Sequence, residues 1–178
     1  KADGHYFIGT DNGIFSLICS EQPEKIIKLP ADTPGSFAAL DLFADVACRL
    51  AKGEDIEKRG IELKSYNTRI PLRPTIEDST LTGSVIYIDS YQNAITNISK
   101  ELFEKIALNR SFDIYVQSKH YRINSISNFY NEVPVGELLA VFNSIGLLEI
   151  AINNGNAARL LNLDTNSTVR VEFSDRNK

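Results

Sequence analysis

Two stretches of this chain set small polar groups where apolar runs break. The first is Gly83-Ser-Val-Ile-Tyr-Ile-Asp-Ser-Tyr-Gln-Asn-Ala-Ile-Thr-Asn-Ile98, in which Val85 to Ile88 run into Asp89 and Asn93 follows across a short turn. The second is Asn143-Ser-Ile-Gly-Leu-Leu-Glu-Ile-Ala151, in which Asn143, Ser144 and Gly146 make a turn and the apolar run to Ile152 makes a strand. A carboxylate forms charge-assisted hydrogen bonds with an ammonium group. An amide offers donor and acceptor together, which the polar edge of a base requires. A carboxylate, an amide and a hydroxyl at strand ends can therefore hold a small polar ligand with an amino group and a base. Asp89 and Asn93 also have plainer readings as turn residues, since both side chains bond their own backbone and favour turns.

The elements that must carry these groups fall into two parts. Residues 4–18 read as two short strands: Tyr6, Phe7 and Ile8 are β-rich, Asp11-Asn-Gly13 signals a tight turn, and Ile14 to Ile18 resume the apolar run. A polar link with Pro30 and Pro34 leads to an amphipathic helix, with Ser36 as cap, Leu40, Phe43, Ala44, Ala47 and Ala51 at helical spacing, and Gly53 at its close. Residues 54–80 are charged and irregular and carry Pro71 and Pro74, the best boundary in the chain. Short strands then follow at regular spacing: 84–88, 94–98, 113–117, 120–126, 137–142, 147–152 and 168–173. A helix over 99–108 has Ser99 as its cap, and a shorter one follows Asn156. Val169, Val171 and Phe173 alternate with Arg170 and Glu172, as on a half-buried strand. The expected fold class is α/β followed by all-β: residues 1–75 form the C-terminal part of a Rossmann-like α/β domain, and 76–178 a small β-barrel domain.

Bulk properties narrow the function. The chain has 178 residues and 43% hydrophobic content, enough for a buried core. A net charge of −4 with scattered basic residues argues against nucleic acid or an anionic membrane surface as partner. No apolar run is long enough to cross a bilayer. Cys19 and Cys48 read as reduced core residues. His5 and His120 leave little material for a metal site or a histidine-based triad, so no metal is expected. The chain opens on Lys1, contains no methionine and shows no signal peptide, so it reads as a processed or truncated piece, with the cytoplasm as its expected compartment.

Four segments, in order, resemble the S-adenosyl-L-methionine hydroxide adenosyltransferase family, whose relatives include the fluorinase and chlorinase. They are Tyr6-Phe-Ile-Gly-Thr-Asp-Asn-Gly-Ile-Phe-Ser16, Ser36-Phe-Ala-Ala-Leu-Asp-Leu-Phe43 with its helix, Gly83 to Ile98, and Asn143 to Ala151 followed by Asn153-Asn-Gly-Asn-Ala-Ala158. The resemblance implies an α/β domain whose opening strands precede residue 6, then a β-barrel domain. It also implies a homotrimer, with each ligand site between one subunit's first domain and its neighbour's second. The implied reaction is displacement at the 5′ carbon of S-adenosyl-L-methionine by water or hydroxide, giving adenosine and L-methionine with no cofactor. A neutral thioether leaves, so positioning and exclusion of competing water do most of the work.

The same resemblance implies roles for individual residues. Asp89 takes the substrate's α-ammonium, Asn93 faces the adenine edge and Ser144 meets the substrate carboxylate. Tyr91 and Tyr130 fit aromatic walls for the base, although each taken alone reads equally as packing. Phe37 stands beside the reacting carbon. Ile145 replaces the arginine of the halogenating relatives. Ala38 occupies the position of a histidine that helps prepare the hydroxide in hydrolase members, and Ala39 and Leu40 replace glycine and arginine. Asp11 and Asn12 match the family too, yet the tight turn explains them better. Three functions follow. The first is a hydrolase of S-adenosyl-L-methionine; the second is a non-catalytic member that binds S-adenosyl-L-methionine or adenosine. A scaffold whose trimer is its function is a third.

Overall fold

From residue 75 onward apolar side chains recur at every second position, which gives each strand one face for a core. The computed structural model describes residues 1–19, 21–30 and 37–174. It divides into two units, Lys1–Pro71 and Leu72–Lys178. The second unit holds β3 (Thr75–Glu77), β4 (Thr80–Ile88), β5 (Ala94–Ser99), β6 (Ser111–Val116), β7 (Ser118–Ile123), β8 (Leu138–Phe142), β9 (Leu147–Ile152) and β10 (Thr168–Ser174), with helices α3 (Lys100–Ala107) and α4 (Ala157–Leu161). These are the seven expected strands with slightly shifted ends, plus β3, and both expected helices.

The strands pair antiparallel in the order β7-β6-β10-β4-β5-β9-β8, with β3 on the free side of the first half of β4. A parallel bridge from Ser127, just past β7, to Val141 in β8 brings the two ends together, so the sheet forms a nearly closed barrel. Leu81, Val85, Ile98, Ile114, Leu148, Ile150, Val169 and Val171 are fully buried inside it. Val169, Val171 and Phe173 point inward while Arg170 and Glu172 do not, as the alternation requires. Gly83 answers a close approach: a Cβ there would lie 2.5 Å from Ile98 Cγ1.

Helix α3 begins where Ser99 Oγ accepts the Leu102 N–H at 3.2 Å, the expected cap. Its one buried residue, Phe103, meets Phe112, Phe142 and Phe173 edge-on at centroid distances of 5.0, 5.4 and 5.4 Å. Strand β9 differs from the others because five of its six residues are buried. Leu148 and Ile150 face the barrel core, while Ala151 joins Leu139 and Val141 in a second cluster covered by Val133. Both faces of β8–β9 are thus shielded, which decides the environment of Glu149.

The first unit contains α1 (Phe15–Ile18), the two-residue antiparallel pair β1 (Ile27–Lys28) and β2 (Ile61–Glu62), α2 (Ala38–Ala51), and a 3-10 turn over Ile56–Arg59. The two strands expected over 4–18 do not form. Tyr6 to Ile8 have no ladder partner among the described residues, and Phe15 to Ile18 close a helical turn instead. The intervening turn is present, with Gly13 at φ 95° and Asn12 Oδ1 accepting the Ile14 N–H at 3.1 Å. Asp11 Oδ1 and Oδ2 accept the Asn67 main-chain and side-chain N–H groups at 2.8 and 3.0 Å, which is structural work.

Helix α2 forms as its spacing predicts, and Gly53 follows it at φ 78°. Ser36, the expected cap, lies outside the described residues. The stripe of Leu40, Ala44, Ala47 and Ala51 is exposed; Val46 is buried, and Leu42, Phe43 and Leu50 are half-buried on the inward side. Periodicity alone marks a helix without saying which stripe finds a partner. The cysteines also depart from expectation: Cys48 is exposed on α2 and Cys19 is half-buried. Both histidines are exposed, His120 in β7 and His5 outside any strand.

Candidate functional site

Asp89 and Asn93 close the β4–β5 hairpin. The main chain pairs them, with the Asp89 N–H donating to the Asn93 carbonyl at 3.1 Å. Asp89 Oδ1 accepts the backbone N–H groups of Tyr91 and Asn93 at 2.9 and 2.8 Å. Asp89 Oδ2 accepts Asn93 Nδ2 at 3.2 Å. The plainer turn reading of Asp89 is therefore realised, but it does not exhaust the carboxylate: Oδ2 has one protein donor and room for another. The same bond orients the Asn93 amide. Its nitrogen is held by Asp89, which leaves Oδ1 as the acceptor to offer to a ligand. Asn93 is buried and Asp89 half-buried, so both are shielded without being sealed.

The second stretch forms the β8–β9 hairpin. Asn143 Oδ1 accepts the N–H groups of Ile145 and Leu147 at 3.2 and 3.1 Å, and Gly146 takes φ 74° to complete the turn. Ser144 and Ile145 are exposed at its tip. Pairing of Ile95 with Glu149 and of Ser99 with Leu147 places the two hairpin ends at opposite ends of the β5–β9 ladder. Asn93 and Leu147 are separated by about four residues along the strands, or ~13 Å at 3.3 Å per residue. A ligand that meets both ends must be elongated.

Glu149, which the sequence reading did not single out, lies between them. It is only 3% exposed, and its register opposite Ile95 and Val141 turns it to the face that Asn93 shares. Tyr130, on a 3-10 turn over Tyr130–Glu132, donates its hydroxyl to Glu149 Oε1 at 2.7 Å. Asn143 Nδ2 donates to Oε2 at 3.4 Å. Burial, then the hydrogen bond and charge of Glu149, then the charge of Asp89 push the Tyr130 phenol up to about 12. Neither Asp89 nor Glu149 has a basic partner among the described residues. One signal for Glu149 is visible in the residues themselves: it is the lone charged residue in the apolar run Leu147 to Ile152.

The structure thus gathers Asp89, Asn93 and Tyr130, and connects them through Glu149 and Asn143 to the turn of Ser144. Tyr91 projects from the first hairpin and is 76% exposed. Phe37 belongs to the first unit, just ahead of α2, and is 73% exposed. That unit also holds a cavity of about 690 Å³ whose walls include Phe7, Phe15, Leu42, Phe43 and Leu63. None of the six candidate binding residues lines it. Among the described residues no group of His, Cys, Asp or Glu could hold a metal ion, and no helix is long and apolar enough to cross a membrane.

Comparison with known proteins adds independent findings. Residues 83–170 match the SAM hydroxide adenosyltransferase C-terminal domain, and residues 1–60 match the N-terminal domain of the same family. The latter match begins at residue 1, so the first unit itself carries N-terminal-domain sequence. An (R)-S-adenosyl-L-methionine hydrolase of Thermus thermophilus is 30% identical over 180 residues, covering 93% of this chain and 66% of that protein. One of Salinispora tropica is 33% identical over 147 residues, covering 80% of this chain and 53% of that protein. One of Methanocaldococcus jannaschii is 25% identical over 183 residues, covering 96% and 63%. The chain therefore spans between about half and two thirds of the curated relatives it matches. A crystal structure of an uncharacterized conserved protein from Thermotoga maritima aligns with a TM-score of 0.74 at 27% identity, over 90% of this chain and 65% of that one. A conserved hypothetical protein from Thermus thermophilus, also a crystal structure, aligns at 0.62 and 28% identity, over 90% and 61%.

Proposed function

The chain belongs to the SAM hydroxide adenosyltransferase family, and from that premise we propose that it acts on S-adenosyl-L-methionine. The proposed reaction is attack of water or hydroxide on the 5′ carbon, giving adenosine and L-methionine. The carbon–sulfur bond breaks as the carbon–oxygen bond forms, and the electron pair leaves on a neutral thioether, which needs no proton; when water is the nucleophile, its extra proton passes to solvent. Several relatives bear the name (R)-S-adenosyl-L-methionine hydrolase, in support.

The observation that carries the proposal is the polar face held between the two hairpins, inside the matched C-terminal domain. Asn93 presents Oδ1 to the N6 amino edge of the adenine, with Tyr130 and Tyr91 as aromatic surfaces for the base. Asp89 takes the α-ammonium on the open side of Oδ2; the carboxylate on that same carbon does not also reach Ser144, which lies past the ~13 Å between the two hairpin ends. Phe37 flanks the reacting carbon. In this reading a boundary at residues 75 and 76 separates an α/β domain from the barrel. Three copies assemble so that one copy's first domain covers its neighbour's second. The substrate is a metabolite of the cytoplasm, which is the compartment the reading implies.

One residue favours a second reading. Ala38 stands where hydrolase members of the family carry histidine, so the chain binds S-adenosyl-L-methionine or adenosine without turning it over. The two readings separate in a single experiment. The purified protein is denatured and assayed for released adenosine or methionine, and fresh protein is incubated with S-adenosyl-L-methionine. Adenosine formed in proportion to enzyme and time supports hydrolysis. Bound nucleoside without product supports the binding reading and sinks the hydrolase. No binding of either ligand sinks both.

A further inference from the structure

We propose that Glu149 is a positioning residue, tying the Tyr130 turn and the Ser144 turn into one rigid face; this rests on reading that face as the adenosyl-binding site. A carboxylate buried to 3% exposure with no basic partner is unfavourable, and an apolar residue would fill the same space on β9 more cheaply. Its neighbours on that face, Leu139, Val141 and Ala151, are apolar. Packing therefore does not explain the residue, and its hydrogen bonds do.

Each oxygen of Glu149 serves a different loop. Oε1 accepts the Tyr130 hydroxyl at 2.7 Å, and Oε2 accepts Asn143 Nδ2 at 3.4 Å. Asn143 has no freedom to turn its amide around, because Oδ1 already accepts the Ile145 and Leu147 N–H groups. The donor side of that amide is thus committed to Glu149, and with it the turn that displays Ser144. The loop behind Tyr130 is pinned independently. Glu132 Oε2 accepts the Asn128 N–H at 2.9 Å, and Asn153 Nδ2 donates to the Val133 carbonyl at 2.7 Å. Loss of Glu149 would leave the loop in place but free the Tyr130 ring, the part that would stack on a base.

A double-mutant cycle on the full chain tests this, with S-adenosyl-L-methionine as the probe in calorimetry. Glu149→Gln weakens the tie: with its oxygen on Asn143 Nδ2, its amide nitrogen meets the Tyr130 hydroxyl, which must turn its hydrogen away and accept a weaker neutral bond in place of one to a carboxylate. We expect Glu149→Gln and Tyr130→Phe each to raise Kd about tenfold, and the double variant to lie within about twofold of either single one, since both remove the same link. Where turnover is present, KM rises while kcat at saturation stays within about twofold. Independent losses that multiply to about a hundredfold in the double variant overturn the proposal.

A second measurement needs no ligand. Phenolate absorbance at pH 11 counts ionised tyrosines in the folded protein. The wild type keeps Tyr130 largely protonated there; Glu149→Gln removes the hydrogen bond and the charge but not the burial, the largest cause of the rise, so the count should increase by a fraction of one tyrosine, and Tyr130→Phe in that background should remove the increase. Equal counts in wild type and Glu149→Gln overturn the tie. A wild-type protein that binds no S-adenosyl-L-methionine, yet shows the tyrosine change, refutes the reading of the site while supporting the tie.

Discussion

Substituting Asp89 with asparagine separates two jobs that one carboxylate would perform. Oδ1 supports the hairpin by accepting two backbone N–H groups at 2.9 and 2.8 Å, and Oδ2 holds Asn93 Nδ2 at 3.2 Å. An asparagine that keeps its oxygen on the backbone pair turns its own NH₂ toward the NH₂ of Asn93. One hydrogen bond of the hairpin is lost, which costs about 1 kcal/mol of stability. The charge is lost as well. A hydrogen bond to an ionised partner contributes about 1.5–3 kcal/mol, so a ligand ammonium would lose roughly tenfold to a hundredfold in affinity at 1.4 kcal/mol per factor of ten. Adenosine carries no ammonium and should register only the change in the hairpin. Calorimetric titration of wild type and Asp89→Asn with both ligands should show S-adenosyl-L-methionine weakened at least about tenfold and adenosine by less than about threefold, with melting curves reporting the hairpin cost. Both ligands falling by one common factor would refute the ammonium role. Asp89 would then act only through the turn and through its hold on Asn93.

Two further outcomes follow from the barrel. Phe103→Ala empties the centre of the cluster with Phe112, Phe142 and Phe173 and should cost about 3–5 kcal/mol in urea unfolding; a loss below about 1 kcal/mol would contradict the packing described. The raised Tyr130 phenol predicts a pH effect of definite sign. In the unfolded chain the proton leaves near 10.0, but the folded protein holds it to about 12. The stabilisation is complete below pH 10 and is lost between pH 10 and 12, where the unfolded state binds fewer protons than the folded one. Melting temperature should therefore fall more steeply across that window in the wild type than in Tyr130→Phe. Parallel curves would show that the tyrosine is not held as described.

Much of the barrel was legible in the residues because its signals are local. Period-two alternation marked Val169, Val171 and Phe173 on β10, and Ser99 marked the start of α3. The same logic failed over 4–18. A strand requires a partner as well as β-rich residues, and pairing is a property of the fold. In α2 the spacing gave a helix, yet the exposed stripe of Leu40, Ala44, Ala47 and Ala51 is the one that periodicity favoured.

The candidate site divides in the same way. Sequence alone determined that Asp89 and Asn93 sit across a tight turn, since the five residues of that strand break leave the backbone few alternatives. It also determined that Asn143 and Gly146 turn the chain into β9. Only the tertiary structure decided that these two hairpins stand at opposite ends of one ladder, because register is fixed by pairing between strands distant in sequence. It alone decided that Glu149 is buried, since burial comes from Val133 and Tyr130 folding over the outer face of β8–β9. A glutamate amid leucine and isoleucine says that something must satisfy it; the fold supplies Tyr130 and Asn143 to do so.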